Sequence, residues 1–141
     1  MKALLLLLFI SFSPMKNETS YNLTIAFENI LEEQIGKNIY IAFWKNNTGD
    51  FPKEDKVYFG EILKIDSKDF KISKELKAGT YAFSAFIDLN GNGKLDKNLF
   101  GMPKEPFCFS NNFKPKFSAP NFEDCSFELK KNKRISLKMI D

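Results

Sequence analysis

The chain predicts an all-β fold, a single β-sandwich of about seven strands. Three observations point there. Apolar residues recur with a period of two over short segments, as they do in strands with one buried face. Clusters rich in Gly, Pro, Asn and Asp separate those segments. Phe is the dominant bulky residue, with 16 in 141 residues, enough rings to fill a small core between two sheets.

The elements follow in chain order. Lys2 precedes a Leu-rich run over residues 3–12, the pattern of a secretory signal peptide and too short to span a bilayer. Residues 1–20 are therefore read as signal and polar lead, and residues 21–141 as one domain. Tyr21, Leu23, Ile25 and Phe27 alternate with smaller or polar residues and predict a first strand. Residues 28–37 form a connection ending at Gly36, and residues 38–44 a second strand. A long loop covers residues 45–56. Residues 57–65 and 70–72 read as strands, although Ile62, Ile65, Ile72 and Leu76 also partly match a helix over residues 61–76. Residues 81–87 carry the clearest strand pattern. Residues 122–129 and 135–140 predict a closing hairpin turning near Asn132, with the terminal strand between two partners. Phe100, Phe107, Phe109, Phe113 and Phe117 fall in a Pro-rich segment and are expected to cover the open end of the sandwich.

Composition excludes several functions. His is absent, which removes Ser-His-Asp and Cys-His nucleophiles and the usual zinc sites. The net charge is +3, and +2 without residues 1–20. Arg134 is the only Arg, and planar recognition of phosphate or guanine favours Arg, so nucleic acid is not an expected partner. Cys108 and Cys125 are the only thiols. In an oxidising compartment they are expected to pair, which would contribute about 3 kcal/mol in the chain-entropy picture. Two buried thiols or a metal pair are the alternatives.

The most specific chemistry lies in residues 88–96, Asp-Leu-Asn-Gly-Asn-Gly-Lys-Leu-Asp. Oxygen-bearing side chains at Asp88, Asn90 and Asn92, then Gly93, then Asp96, follow the first part of a calcium loop. Calcium takes six to eight oxygens, and alternate residues aim theirs inward only where the chain wraps tightly. The expected ligands are Asp88, Asn90, Asn92, the carbonyl of Lys94, and Asp96. Glu105 replaces the Glu that an EF-hand carries at its twelfth position, here Leu99. The flanks are a strand before the loop and Gly101, Pro103 and Pro106 after it, so this is no helix-loop-helix. The rival reading is a metal-free turn that uses Asp and Asn only for backbone hydrogen bonds.

Three blocks carry a family resemblance. They are Leu-Lys-Ala-Gly-Thr-Tyr-Ala from Leu76, the loop from Asp88, and Gly-Met-Pro-Lys-Glu-Pro-Phe-Cys-Phe-Ser-Asn-Asn from Gly101, with Ala-Pro-Asn-Phe-Glu-Asp following from Ala119. The chain resembles small exported bacterial proteins grouped as domain of unknown function 2141. It departs from them at Cys108, where Gly is expected, and at Cys125, where Ala is expected. More distantly, the Gly-x-Tyr strand and its Asn-Gly loop are similar to prealbumin-like (transthyretin-like) modules of bacterial surface proteins. That likeness implies a prealbumin-like or immunoglobulin-like Greek-key sandwich stiffened by calcium, with no enzymatic activity.

The function expected is that of an exported, non-enzymatic β module, periplasmic, outer-surface or extracellular, whose partner is an envelope or surface protein or a glycan. No membrane span remains once the signal is removed. The alternative is a binding protein for a small ligand or glycan that uses Tyr40, Trp44 or the loop rings as a platform. A carboxylate-dependent hydrolase is the remote third reading, through Asp96 with Glu105 or Glu123 with Asp124.

Overall fold

A computed structural model describes residues 18–46, 49, 51–116 and 118–141. Residues 1–17, on which the expected signal segment falls, and Phe117 lie outside the described residues. Those described form eight strands: β1 (Ser20–Glu28), β2 (Asn38–Lys45), β3 (Phe59–Lys64), β4 (Lys71–Lys77), β5 (Gly79–Asp88), β6 (Phe107–Phe109), β7 (Phe127–Leu129) and β8 (Lys133–Lys138). One sheet has the order β4-β1-β8 and the other β3-β2-β5-β6, with β7 also on β5. The all-β sandwich expected from the sequence is the fold observed.

The period-two pattern explains which faces meet. Leu23, Ile25 and Phe27 of β1 face Ile39, Ile41 and Phe43 of β2 and Tyr81, Phe83, Ala85 and Ile87 of β5 in one buried cluster. Phe83 is fully buried, stacked 5.3 Å from Phe43 and edge-on to Phe27 at 6.3 Å. Residues 61–76 form β3, a turn and β4 rather than a helix. In β3 and β4 covered and exposed side chains alternate, which suits one covered face and leaves no helical stripe to bury.

The end of the chain departs from expectation. β7 and β8 are not a hairpin. β7 runs antiparallel to β5, whereas β8 runs parallel to β1 in the other sheet. The basic turn around Asn132 is thus a corner between sheets, and Asn132 Oδ1 accepts the Asn22 N–H at 2.9 Å. β8 is an edge strand, since β1 holds the middle of its sheet, and the terminal segment meets a second partner just beyond β8, where Ile140 bridges to Phe107. Residues 122–125 form one helical turn, α1 (Phe122–Cys125), because Asp124 Oδ2 caps the Asn121 N–H at 3.0 Å.

The Pro-rich segment also behaves differently. It supplies β6, and Phe107 is buried. Phe109 and Phe113 pack with Trp44, Phe51, Ala82, Phe122 and Cys125 in a second cluster. That cluster covers the Trp44–Ala82 end of the outer face of the five-stranded sheet, not the open end of the sandwich.

The expected disulfide is absent: Cys108 and Cys125 are free, buried thiols. Cys108 lies opposite Ala85 and points into the main core, while Cys125 belongs to the outer cluster. A sheet therefore separates the two side chains. Burial pushes both thiols up to about 12. A folded-state pKa raised above the unfolded value stabilises fully below about pH 9, and that contribution is lost as pH rises toward 12. Urea midpoints should accordingly fall more steeply over that window in the native protein than in a Cys108→Ala, Cys125→Ala variant. Native protein should react slowly with a thiol reagent at pH 8 and yield two thiols once unfolded without reductant. A single mass species with no reactive thiol under those conditions would restore the bridge.

Candidate functional site

Loop 88–96 leaves the end of β5 and turns on the Asp88 carboxylate. Asp88 is only 2 % exposed. Its Oδ1 accepts the N–H groups of Gly91 (2.7 Å) and Asn92 (3.2 Å), and its Oδ2 that of Gly93 (2.8 Å). Gly91 and Gly93 have φ of 76° and 74°, the left-handed region that glycine enters without strain. A Cβ on Gly93 would also stand 3.3 Å from the Tyr40 hydroxyl. Glycine is needed there both for the turn and for the close approach.

Asn90, Asn92 and Asp96 converge. Asn90 Nδ2 and Asn92 Nδ2 donate to the same oxygen, Asp96 Oδ2, at 2.6 and 3.0 Å. The amide oxygens meanwhile accept backbone N–H groups, Asn90 from Asn92 at 3.1 Å and Asn92 from Lys94 at 2.9 Å. Glu105, 4 % exposed, bridges the two ends of the loop: Oε1 accepts the Leu89 N–H at 2.8 Å and Oε2 the Asp96 N–H at 3.2 Å. Lys37 Nζ adds a bond to the Leu89 carbonyl at 2.8 Å. The six residues predicted from the sequence therefore share one loop and its clip. Among the described residues, no three Cys, Asp or Glu side chains gather as a metal cluster. Any cation here would need the amide and carbonyl oxygens of Asn90, Asn92 and Lys94 beside the carboxylates.

The donor chemistry nonetheless suits calcium. A carboxylate has roughly four lone-pair positions, and the three N–H bonds leave Asp88 Oδ2 with one to offer. Turning the two Asn amides about their last bond would bring oxygen beside Asp96 in place of nitrogen. Without such a cation the same groups close the loop as a hydrogen-bonded turn.

Sequence reasoning named Tyr40, Trp44 and the loop rings as a ligand platform but missed the feature they border, a groove on the outer face of the five-stranded sheet with a cavity volume of about 780 Å³. Its floor is a row of the smallest side chains: Gly60 pairs with Ala42, and Ala42 with Ser84, across β3, β2 and β5. One bank is the Tyr40–Phe86 pair, stacked at 4.9 Å with planes 10° apart. Trp44, nearly buried against Phe51, stands on the opposite bank, and Phe109, paired with Ser84, closes the β6 end of the floor. Residues 93–103, the downstream part of loop 88–96 and its continuation, form a wall. Alternation within each strand was visible in sequence. That three strands bring their small residues to one row depends on register.

Ser110, Asn111 and Asn112 were also missed as fasteners. β6 and β7 leave Phe83 without a strand partner between them, and the buried Ser110 hydroxyl fills the gap. It accepts the Phe83 N–H at 2.9 Å and lies 2.6 Å from the Cys125 carbonyl, to which it donates. Asn111 Nδ2 donates to the Ser126 carbonyl, and Asn112 bonds both Ser136 O and Lys138 N of β8. Their side chains hold the segment to both sheets. The Phe-Ser-Asn-Asn block was the only signal. Glu123 and Asp124 sit exposed on α1, away from the groove.

Comparison with curated proteins and with solved structures gave no match. A family described as "Uncharacterized protein conserved in bacteria (DUF2141)" matches residues 26–136, from β1 through the loop and groove to β8. With most of its length inside that match, the chain belongs to the DUF2141 family.

Proposed function

We propose that this protein is an exported, non-enzymatic β-sandwich module acting in envelope structure or surface interaction, with calcium bound in loop 88–96. The calcium ligands are Asp88, Asn90, Asn92, the Lys94 carbonyl, Asp96 and, directly or through water, Glu105. One observation carries the metal reading: the heads of Asn90 and Asn92 meet at a single oxygen of Asp96 beside a turn built on Asp88. Calcium there would tie the end of β5 to the segment that returns as β6. Export rests on the Leu-rich start of the chain. Thr19 already joins the sheet, its carbonyl accepting the Ala78 N–H at 2.8 Å, so cleavage ahead of residue 18 preserves β1 intact.

Calcium should raise the melting temperature, because the unfolded chain binds it less well. At a hundredfold excess over Kd the gain is about 2.7 kcal/mol. Asp88→Ala should abolish the rise and Glu105→Gln should reduce it. Magnesium should substitute poorly, since it demands tight octahedral geometry. Calorimetric titration at millimolar calcium, with no heat and no thermal shift, would leave the loop as a metal-free turn.

A second reading, a module that binds a small ligand or glycan, is favoured by the ring-banked groove on the outer sheet face.

A further inference from the structure

We propose that the groove binds a single-chain amphiphile, an apolar tail with an anionic head, the tail lying over Gly60, Ala42 and Ser84 and the head meeting Lys94 and Lys97. The inference rests on the ligand-binding reading and specifies its chemistry.

Shape comes first. The floor crosses three strands, about 10 Å, at the usual spacing between strands. The banks stand on Tyr40 and Trp44, four residues apart on β2 and so about 13 Å between backbones. Rings on both banks narrow that to a slot suited to an alkyl chain, and the volume lies within the usual range for small-molecule sites. Solvent reaches the apolar lining. Ile62 beside the floor is 58 % exposed, and Phe100 on the loop wall is 92 % exposed. A buried tail would remove that surface from water, at about 25 cal/mol per Å².

Polarity decides against a sugar. A sugar needs dense hydrogen-bonding partners, and unpaired hydroxyls are costly to bury. The floor and ring banks offer chiefly the Ser84 hydroxyl and the tip of Tyr40, which already lies beside Gly93.

Charge selects the head. The charged residues of the lining are Glu61, Lys94 and Lys97. Glu61 is bound by Lys74 of the neighbouring sheet. Among the described residues, neither Lys94 nor Lys97 has an ion-pair partner. Both stand exposed on the loop wall, which begins where Gly93 meets the Tyr40 hydroxyl. The net demand of the groove is thus for one negative group at the rim and hydrocarbon within.

The test uses Trp44, the single Trp, as an internal probe on one bank. Dodecanoate, dodecanol and dodecyltrimethylammonium are titrated below their micelle concentrations at fixed calcium, following Trp fluorescence and confirming by calorimetry. Dodecanoate should bind saturably, with dodecanol several-fold weaker and the ammonium about tenfold weaker or more, a difference of about 1.4 kcal/mol. Ser84→Leu, which fills the floor, should weaken both dodecanoate and dodecanol about tenfold. Lys94→Glu with Lys97→Glu, on an exposed wall, should weaken dodecanoate and spare dodecanol. It serves as an independent variant should Ser84→Leu fail to fold by circular dichroism. Equal binding of all three probes would overturn the head assignment while leaving a ligand groove. Binding of none would remove both. Concentration-dependent dimerisation that closes the groove to the probes would assign the face to a second copy of the chain and overturn the proposal.

Discussion

Phe83→Ala should destabilise the domain by about 3–5 kcal/mol, the usual cost of removing a buried ring. Phe83 is fully buried at the centre of β5, where Phe43 and Phe27 meet it from β2 and β1. Truncation leaves a cavity between two sheets that are each held by backbone hydrogen bonds and cannot collapse around one missing side chain. The Ser110 hydroxyl accepts the Phe83 N–H at 2.9 Å and donates its one proton to the Cys125 carbonyl, which ties this stretch of β5 to the end of α1. The backbone is thereby pinned and cannot move to fill the hole. Phe86→Ala, on the outer face and half-buried, should cost clearly less. Urea unfolding of the two variants tests the contrast. Equal losses would mean that the groove bank, and not the intersheet core, carries comparable weight.

Asp88→Ala should cost about 3 kcal/mol in the presence of a calcium chelator. Hydrogen bonds to a charged acceptor contribute about 1.5–3 kcal/mol each. Asp88 accepts three, from Gly91, Asn92 and Gly93. The donors are exposed, so water recovers part of the loss. Asp88→Asn should fall between the wild type and Asp88→Ala, since the amide keeps one acceptor oxygen. With calcium present, the gap between wild type and Asp88→Ala should widen by the linkage contribution of the metal. A loss below about 1 kcal/mol in chelator would show that the turn is held by its glycines and by Glu105, with Asp88 a minor part. Such a result would not touch the calcium reading, which depends on the widening.

Much of the fold was legible because strand alternation is local. Leu23, Ile25 and Phe27 mark a buried face without reference to any other segment. The clear pattern over residues 81–87 became β5, which carries both core and groove. The rival helix over residues 61–76 arose because Ile62, Ile65, Ile72 and Leu76 satisfy two periods at once, and sheet pairing decided between them. The loop was also legible. Turn chemistry is written in adjacent residues, and all six oxygen-bearing positions lie within 18 residues of one another.

What the amino-acid sequence determined by itself was therefore local: strand faces, the Asp88 turn, the Leu-rich start and the absence of His. Tertiary structure alone decided the rest. The pattern of residues 122–140 is the same for a hairpin as for β7 and β8 in different sheets, because alternation specifies a face and not a partner. Cys108 and Cys125 are close enough in the chain to suggest a bridge, yet Cys108 falls on the face of Ala85 and Cys125 on that of Ala82. The groove has the same origin. Gly60, Ala42 and Ser84 are unremarkable singly, and only the register of β3, β2 and β5 lines them up as a floor. Register is set by the summed pairing and burial of whole strands, a long-range quantity that no short window of sequence contains.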